Sequence, residues 1–269
     1  ADATGAFSGG VPVDANAATL IFAAATDKSG NRSACALPLT FIHDADGPTG
    51  VALLGTEPAS PSATSNPKLI GSSEAGAAVT VYASADCSGP SVGAAVVGAD
   101  GSFGAIVAAA LNALTTFSAR ATDSAGNPSP CSNSIGYQHD NTPPATPILS
   151  PATPSSPSTT QTSFTIAGTG DPTVRALIYP LPDCGGAPME SITTNPDGSF
   201  TITATIQTNT SVTYSASAVD GVGNVSGCSN NIVLTHDNTP PVPPVLTGTT
   251  PGSPGKTQTP VINGTSEAG

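Results

Sequence analysis

Asp123-Ser-Ala-Gly-Asn127 has two near-copies in the chain, Asp27-Lys-Ser-Gly-Asn31 and Asp220-Gly-Val-Gly-Asn224, and the three begin 96 and 97 residues apart. Three other landmarks keep the same step. One is the pair His43-Asp44, His139-Asp140 and His236-Asp237. The others are Phe7, Phe103 and Phe200, and Gly71, Gly168 and Gly264. Four different residue patterns sharing one period define an array of a single structural unit. A unit of this length fits one β-sandwich domain of about 100 residues.

The unit at 45–140 contains seven short runs suited to strands, separated by turn signals. They are expected at 51–54 (A), 68–71 (B), 78–83 (C), 92–97 (D), 103–109 (E), 116–122 (F) and 132–138 (G). Asp100-Gly101, Gly126-Asn127 and the Pro-rich stretches separate them. Residues 105–114 have helical propensity, but their aligned copy at 202–210 is Thr-rich and β-branched, which favours a strand. The expected fold class is therefore all-β: tandem immunoglobulin-like β-sandwich domains repeating every 96–97 residues. The expected divisions are 1–44 (strands E to G of one domain), 45–140 and 141–237 (complete domains), and 238–269 (strands A and B of another). Half a sandwich cannot close its core. The natural polypeptide is thus expected to continue at both ends, or its ends to be completed by neighbouring copies in a filament.

Composition narrows the function classes. Six Lys and Arg face eighteen Asp and Glu, a formal charge of −12. Nucleic acid and anionic membranes both recruit basic residues, so neither is an expected partner. No apolar run reaches the roughly 18 residues of a membrane-spanning helix. The 29 Gly and 27 Pro are periodic and flank Val-, Ile- and Thr-rich runs, which argues against a disordered linker.

Several stretches carry a resemblance: Gly71-Ser-Ser-Glu-Ala-Gly-Ala-Ala-Val-Thr-Val81, Ala99-Asp-Gly-Ser-Phe103, Ala121-Thr-Asp-Ser-Ala-Gly-Asn-Pro-Ser129 and Asp140-Asn-Thr-Pro-Pro144. In that order they resemble the bacterial immunoglobulin-like repeats of large secreted adhesins and surface fibres. The resemblance implies an extracellular stalk, often stiffened by calcium, that holds a functional tip away from a cell. The paired cysteines depart from it, as does Asp171 where the pattern has Glu.

The five cysteines obey the period. Cys87 and Cys184 occupy one repeat position; Cys35, Cys131 and Cys228 occupy another. Each complete unit owns two, so disulfides Cys87–Cys131 and Cys184–Cys228 are expected, with the partner of Cys35 preceding residue 1. Such pairs belong outside the cytosol. Strand counting leaves one tension: Cys87 follows strand C at the end away from the FG turn, so a loop must fold across to reach Cys131.

In an antiparallel sandwich the BC, DE and FG loops share one end with the incoming linker. That arrangement gathers Asp44, Asp46, Glu74, Asp100 and Asp123 in one unit and Asp140, Asp171, Asp197 and Asp220 in the next, with Asp237 and Glu267 beginning a third set. Crowded carboxylates repel, and calcium takes about six to eight oxygens, so calcium is the expected cofactor at the junctions. The competing reading is local: Asp, Gly and Asn form turns for their own reasons, and the DE acids suit that reading best. The repeated linker His is expected to pack against the next domain rather than bind metal. Asn-Thr-Pro-Pro fixes two φ angles and suits a stiff connector.

No nucleophile elbow, zinc-binding His-Glu-x-x-His or phosphate-binding Gly loop is present. Paired carboxylates recurring in every unit do not suit a glycosidase, and an enzyme is not expected. Aromatics make up 4% with no Trp, which disfavours a sugar platform. The Ser/Thr/Pro-rich stretch 150–163 reads as an A–B connection, and Asn31, Asn209, Asn224 and Asn263 begin glycosylation sequons. The expected role is a structural spacer in a repetitive extracellular bacterial adhesin, its partners being neighbouring domains of the same chain. The alternatives are a filament built from such domains, with other copies as partners, and accessory domains of a secreted enzyme.

Overall fold

A computed structural model describes residues 1–2 and 4–268. The chain divides into two compact units, with the boundary in sequence between Thr142 and Pro143. None of the described residues is helical.

The first unit opens with the antiparallel pair β1 (Ala18–Ile21) and β2 (Leu39–Ile42). A complete sandwich follows, formed by β3 (Ala52–Glu57), β4 (Lys68–Ser72), β5 (Ala78–Tyr82), β6 (Ser91–Val96), β7 (Ser102–Ile106), β8 (Leu114–Thr122) and β9 (Ile135–Gln138). One sheet has the order β3-β4-β7 and the other β6-β5-β8-β9. All seven expected strands A to G are present. The D run returns directly beside C, which gives sheets of three and four strands.

Alternation builds the core. In β7, Phe103 and Ala105 point inward while Ser102, Gly104 and Ile106 face out. With Leu69, Val79, Val81, Phe117, Ala119 and Tyr137 they form one buried cluster. Strands β5, β7 and β8 contribute every second residue to that cluster, as period-two geometry requires.

The second unit repeats this plan with β10 (Ile148–Leu149), β11 (Ser163–Thr169), β12 (Arg175–Tyr179), β13 (Glu190–Thr193), β14 (Ser199–Thr205), β15 (Ser211–Val219) and β16 (Ile232–Thr235). Its sheets are β10-β11-β14 and β13-β12-β15-β16. Phe164, Ile166, Ile178, Phe200, Tyr214 and Leu234 lie in its core. The antiparallel pair β17 (Val245–Thr250) and β18 (Val261–Thr265) ends the unit.

Two repeat landmarks prove to be physical partners. Gly71 stands opposite Phe103 across β4 and β7, and Gly168 opposite Phe200 across β11 and β14. A Cβ at Gly71 would lie 2.4 Å from Phe103 Cζ and 2.5 Å from the Ala52 carbonyl oxygen. At Gly168 it would lie 2.3 Å from Phe200 Cζ. The ring covers the bare backbone, so the glycine and the phenylalanine recur together.

Three differences from the expected elements have local causes. The segment around Phe7 is not a strand; in the complete domains the equivalent strand pairs with β4 or β11, and residues 1–44 hold no counterpart of those. Past Ile106 the chain stays extended, with Val107 N donating to Pro67 O (3.1 Å) and Ala109 N to Ser65 O (2.9 Å), and no helix forms. Strand G is regular only from Ile135, because 128–134 runs along β8 as an irregular arm.

Candidate functional site at the loop end of each domain

Each letter of Asp-x-x-Gly-Asn has a task in the turn that leaves strand F. Asp123 Oδ1 accepts from Ala125 N and Asn127 N, both at 2.9 Å, and Asp123 Oδ2 accepts from Asn127 Nδ2 at 3.0 Å. Gly126 takes φ 95°, in the left-handed region that a side chain disfavours. Asp27 and Asp220 make the same contacts with Asn31 and Asn224. The side-chain hydrogen bond from the partner Asn holds the carboxyls of Asp27 and Asp123 below the ordinary 3.8. At Asp220 desolvation pushes upward, but the bonds from Asn224 and the turn backbone outweigh it and the value is again lowered.

The other candidate acids are placed as follows. Asp100 accepts from Ser102 N (3.1 Å) and Ser102 Oγ (2.8 Å), and Asp197 likewise from Ser199 (2.9 and 2.6 Å). Backbone and hydroxyl bonds from those serines lower both carboxyls. Asp171 Oδ2 accepts from Ala145 N at 2.7 Å, and Glu267 Oε2 from Val242 N at 3.1 Å. These two acids occupy the same BC-loop position of successive repeats and tie down the backbone just after Pro-Pro. Glu74 occupies that position in 45–140 and contributes its backbone carbonyl to Ala77 N (3.2 Å). In the linkers, Asp44, Asp140 and Asp237 accept from the backbone N–H two residues on, at 3.1, 3.0 and 3.0 Å. Asp46 accepts from Asn16 Nδ2 at 2.8 Å.

Loops meet in pairs. Ser73 N donates to Gly101 O (3.0 Å), joining BC to DE. Asn127 Nδ2 donates to Asp44 O (3.1 Å), joining the FG turn to the incoming linker. Among the described residues, no group of three or more His, Cys, Asp or Glu side chains stands close enough to hold a metal ion. The carboxylates expected to bind calcium accept N–H and O–H donors, Glu74 apart.

The repeated histidine is structural. His139 is buried, and its Nδ1 accepts from Asn112 N at 2.8 Å. His43 and His236 do the same with Asn16 N and Asn209 N, both at 3.0 Å. The contact lies within its own domain, in the turn before strand F, rather than against the next domain.

Both expected disulfides are present, Cys87–Cys131 and Cys184–Cys228, each with Cα atoms 5.8 Å apart; Cys35 is free and exposed. The loop after β5 does fold across. Cys87 N donates to Ser118 Oγ (3.0 Å) on the outer side of β8, and Cys184 N to Ser215 Oγ (3.1 Å) on β15.

Sequence reasoning missed the arm that carries the second cysteine. Ser129 and Ser132 each donate their N–H to β8 and accept a β8 N–H with their hydroxyl, so an irregular arm keeps the edge of β8 satisfied. Asn133 then presents its side-chain amide to strand A like a piece of backbone: Oδ1 accepts from Leu53 N (2.9 Å) and Nδ2 donates to Leu53 O (3.0 Å). Asn230 does the same to Leu149 at 2.8 and 2.9 Å. The signal was available, since Ser-x-Cys-Ser-Asn recurs at 129–133 and 226–230. A concavity of about 560 Å³ lies in the first segment, lined by Phe7, Ala23, Ala25 and Ser33 among others, with no acid, His or Cys in its wall.

Residues 58–135, within the segment 45–140, match the family model described as bacterial Ig domain. The fold is that of immunoglobulin-like sandwiches, and the resemblance to bacterial immunoglobulin-like repeats holds for this segment. No curated protein matches the chain. Among solved structures, the BSP domain of a biofilm associated protein is 17% identical, with 66% of this chain and 29% of that chain covered and a TM-score of 0.27. The chain thus spans under a third of that relative. Chicken CNTN1 FN1–FN3 domains are 13% identical over 80% of this chain and 74% of that one, at a TM-score of 0.38. The D0–D1 domain of intimin is 13% identical over 71% and 100%, at 0.25. Among the described residues no helix is long and apolar enough to cross a membrane.

Proposed function

We propose that this chain is a spacer segment of a bacterial cell-surface or secreted adhesive protein, acting through its length and not through catalysis. The observation that carries this reading is the way domains hold their linkers. Asp171 and Glu267 cap linker N–H groups, and Asn127 grips the Asp44 carbonyl, so loop-end side chains hold linker backbone instead of lining a pocket. Two disulfides fit an oxidising compartment outside the cell.

Calcium at the junctions is a second proposal. It is favoured by the −12 charge and by the approach of an acidic FG turn to the Asp44 linker. Small-angle scattering of the chain, with calcium and then with chelator, tests both. A spacer gives a radius of gyration well above the roughly 18 Å of a compact globule of this length. A compact value in both conditions contradicts the spacer. A profile that chelator leaves unchanged removes calcium and leaves the hydrogen-bonded linkers as the restraint.

A further inference from the structure

We propose that the Asp171–Pro172 peptide bond is a self-cleavage site, cut in acid by the Asp171 carboxylate while Thr194 stabilises the charged oxygen. Asp171-Pro172 is the sole Asp-Pro pair in the chain and lies just past β11, in the BC loop of the second complete domain. The fold places three aids around it. The carbonyl oxygen of the bond, Asp171 O, accepts the Thr194 hydroxyl at 2.7 Å, and Thr194 is buried. That hydroxyl's other acceptor, Val174 O, stands farther off at 3.2 Å, and its oxygen accepts Val174 N at 3.1 Å. Ala145 N holds Asp171 Oδ2 at 2.7 Å, and among the described residues Oδ1 has no hydrogen-bond partner. Pro172 is exposed, so solvent can bring a proton to its side of the bond.

The first complete domain is an internal control. Glu74, Ala75 and Val97 hold the repeat positions of Asp171, Pro172 and Thr194, 97 residues earlier. Val97 is buried as Thr194 is, so an apolar side chain satisfies the fold there. The aspartate, the proline and the hydroxyl are present together in one domain and absent together from the other.

Asp171 Oδ1 attacks the Asp171 carbonyl carbon and closes a five-membered ring through Cα, Cβ and Cγ. Nucleophile and target belong to one residue, so the step is intramolecular. Negative charge moves onto Asp171 O, where the buried Thr194 hydroxyl already donates. A solvent hydronium ion protonates the Pro172 nitrogen, which carries no N–H and belongs to a tertiary amide. The C–N bond breaks, Pro172 leaves as an amine, and a cyclic anhydride remains on Asp171. Water opens that anhydride, restoring the side-chain carboxylate, forming a main-chain one and releasing a proton. The net change is the addition of one water. Cys87–Cys131 lies before the cut and Cys184–Cys228 after it, so neither disulfide joins the two fragments. The cleavage does not depend on the spacer reading.

The test is mass spectrometry of the full chain after incubation at the most acidic pH at which its circular dichroism still matches that at neutrality. A parallel sample is held at the same pH in urea. The expected products are 1–171 and 172–269, whose masses together equal that of the chain plus one water. They should form on the order of 10²-fold faster in the folded chain than in urea, the effect of one oxyanion donor. Thr194→Val, which installs the residue of the first domain, should slow cleavage by the same order, and Thr194→Ser should preserve it. Asp171→Glu keeps a carboxylate but enlarges the ring, and should abolish cleavage. Equal rates in the fold and in urea overturn the proposal, as does an intact chain. So does a rate untouched by Thr194→Val in chains of matching circular dichroism. If Thr194→Val does not fold, the comparison of folded and urea samples decides alone.

Discussion

Gly71→Ala is the substitution whose cost the structure fixes most tightly. The added methyl would sit 2.4 Å from Phe103 Cζ on one side and 2.5 Å from the Ala52 carbonyl oxygen on the other, against 3.4 Å or more for ordinary contact. Each approach is short by about 1 Å. The ring could rotate away, but the carbonyl belongs to β3 and is fixed by its ladder with β4, so one movement cannot relieve both. Overpacking of this kind costs about 1–3 kcal/mol. For a domain of this size, about 2 kcal/mol lowers the midpoint by roughly 8–16 °C. Differential scanning calorimetry of the chain should show one transition moving by that amount, and Gly168→Ala should move the other. Phe103→Leu removes the ring atom, so the double variant should lose less than the two single losses added together. A Gly71→Ala chain that melts with the parent, or above it, would refute the assignment of Gly71 and Phe103 as a packing pair.

Asn133→Ala leaves the Leu53 N–H and carbonyl without their partners and should cost about 1–3 kcal/mol, read as a lower urea midpoint. Asp171→Ala removes the acceptor for Ala145 N, and hydrogen exchange at that amide should accelerate while core amides stay protected. The FG-turn carboxyls titrate below their ordinary 3.8 in the folded chain. Their contribution is therefore complete above that value and is lost as the pH falls through the folded pKa. Urea midpoints measured from pH 6 to pH 2 should fall less steeply for Asp123→Asn than for the parent, and equal slopes would count against the turn bonds.

The period made the fold legible because the residues that recur are the ones with a fixed geometric task. Gly71 and Phe103 face each other, Asp123 and Asn127 close a turn, and His139 holds the Asn112 backbone. The disulfide pairing was legible for the same reason. The site was less so. Asp171 and Asp123 read alike in sequence, yet one caps a linker and the other closes its own turn. A carboxylate's partner is set by which loop lies beside it, and hydrogen-bond donors from the backbone leave no mark in composition. The missed arm at 129–133 has the same cause: its serine hydroxyls and the Asn133 amide stand in for backbone groups, and residue type alone does not show that substitution.

The spacer account is tested most directly by lengthening the molecule. A chain carrying one added copy of residues 45–140 should be compared with the parent by small-angle scattering. Strand β8 spans nine residues, about 30 Å at 3.4 Å each, so one domain added in line should raise the maximum dimension by at least about that much. Growth of the radius of gyration by only about 2 Å, the increment for a compact globule gaining that many residues, would contradict it.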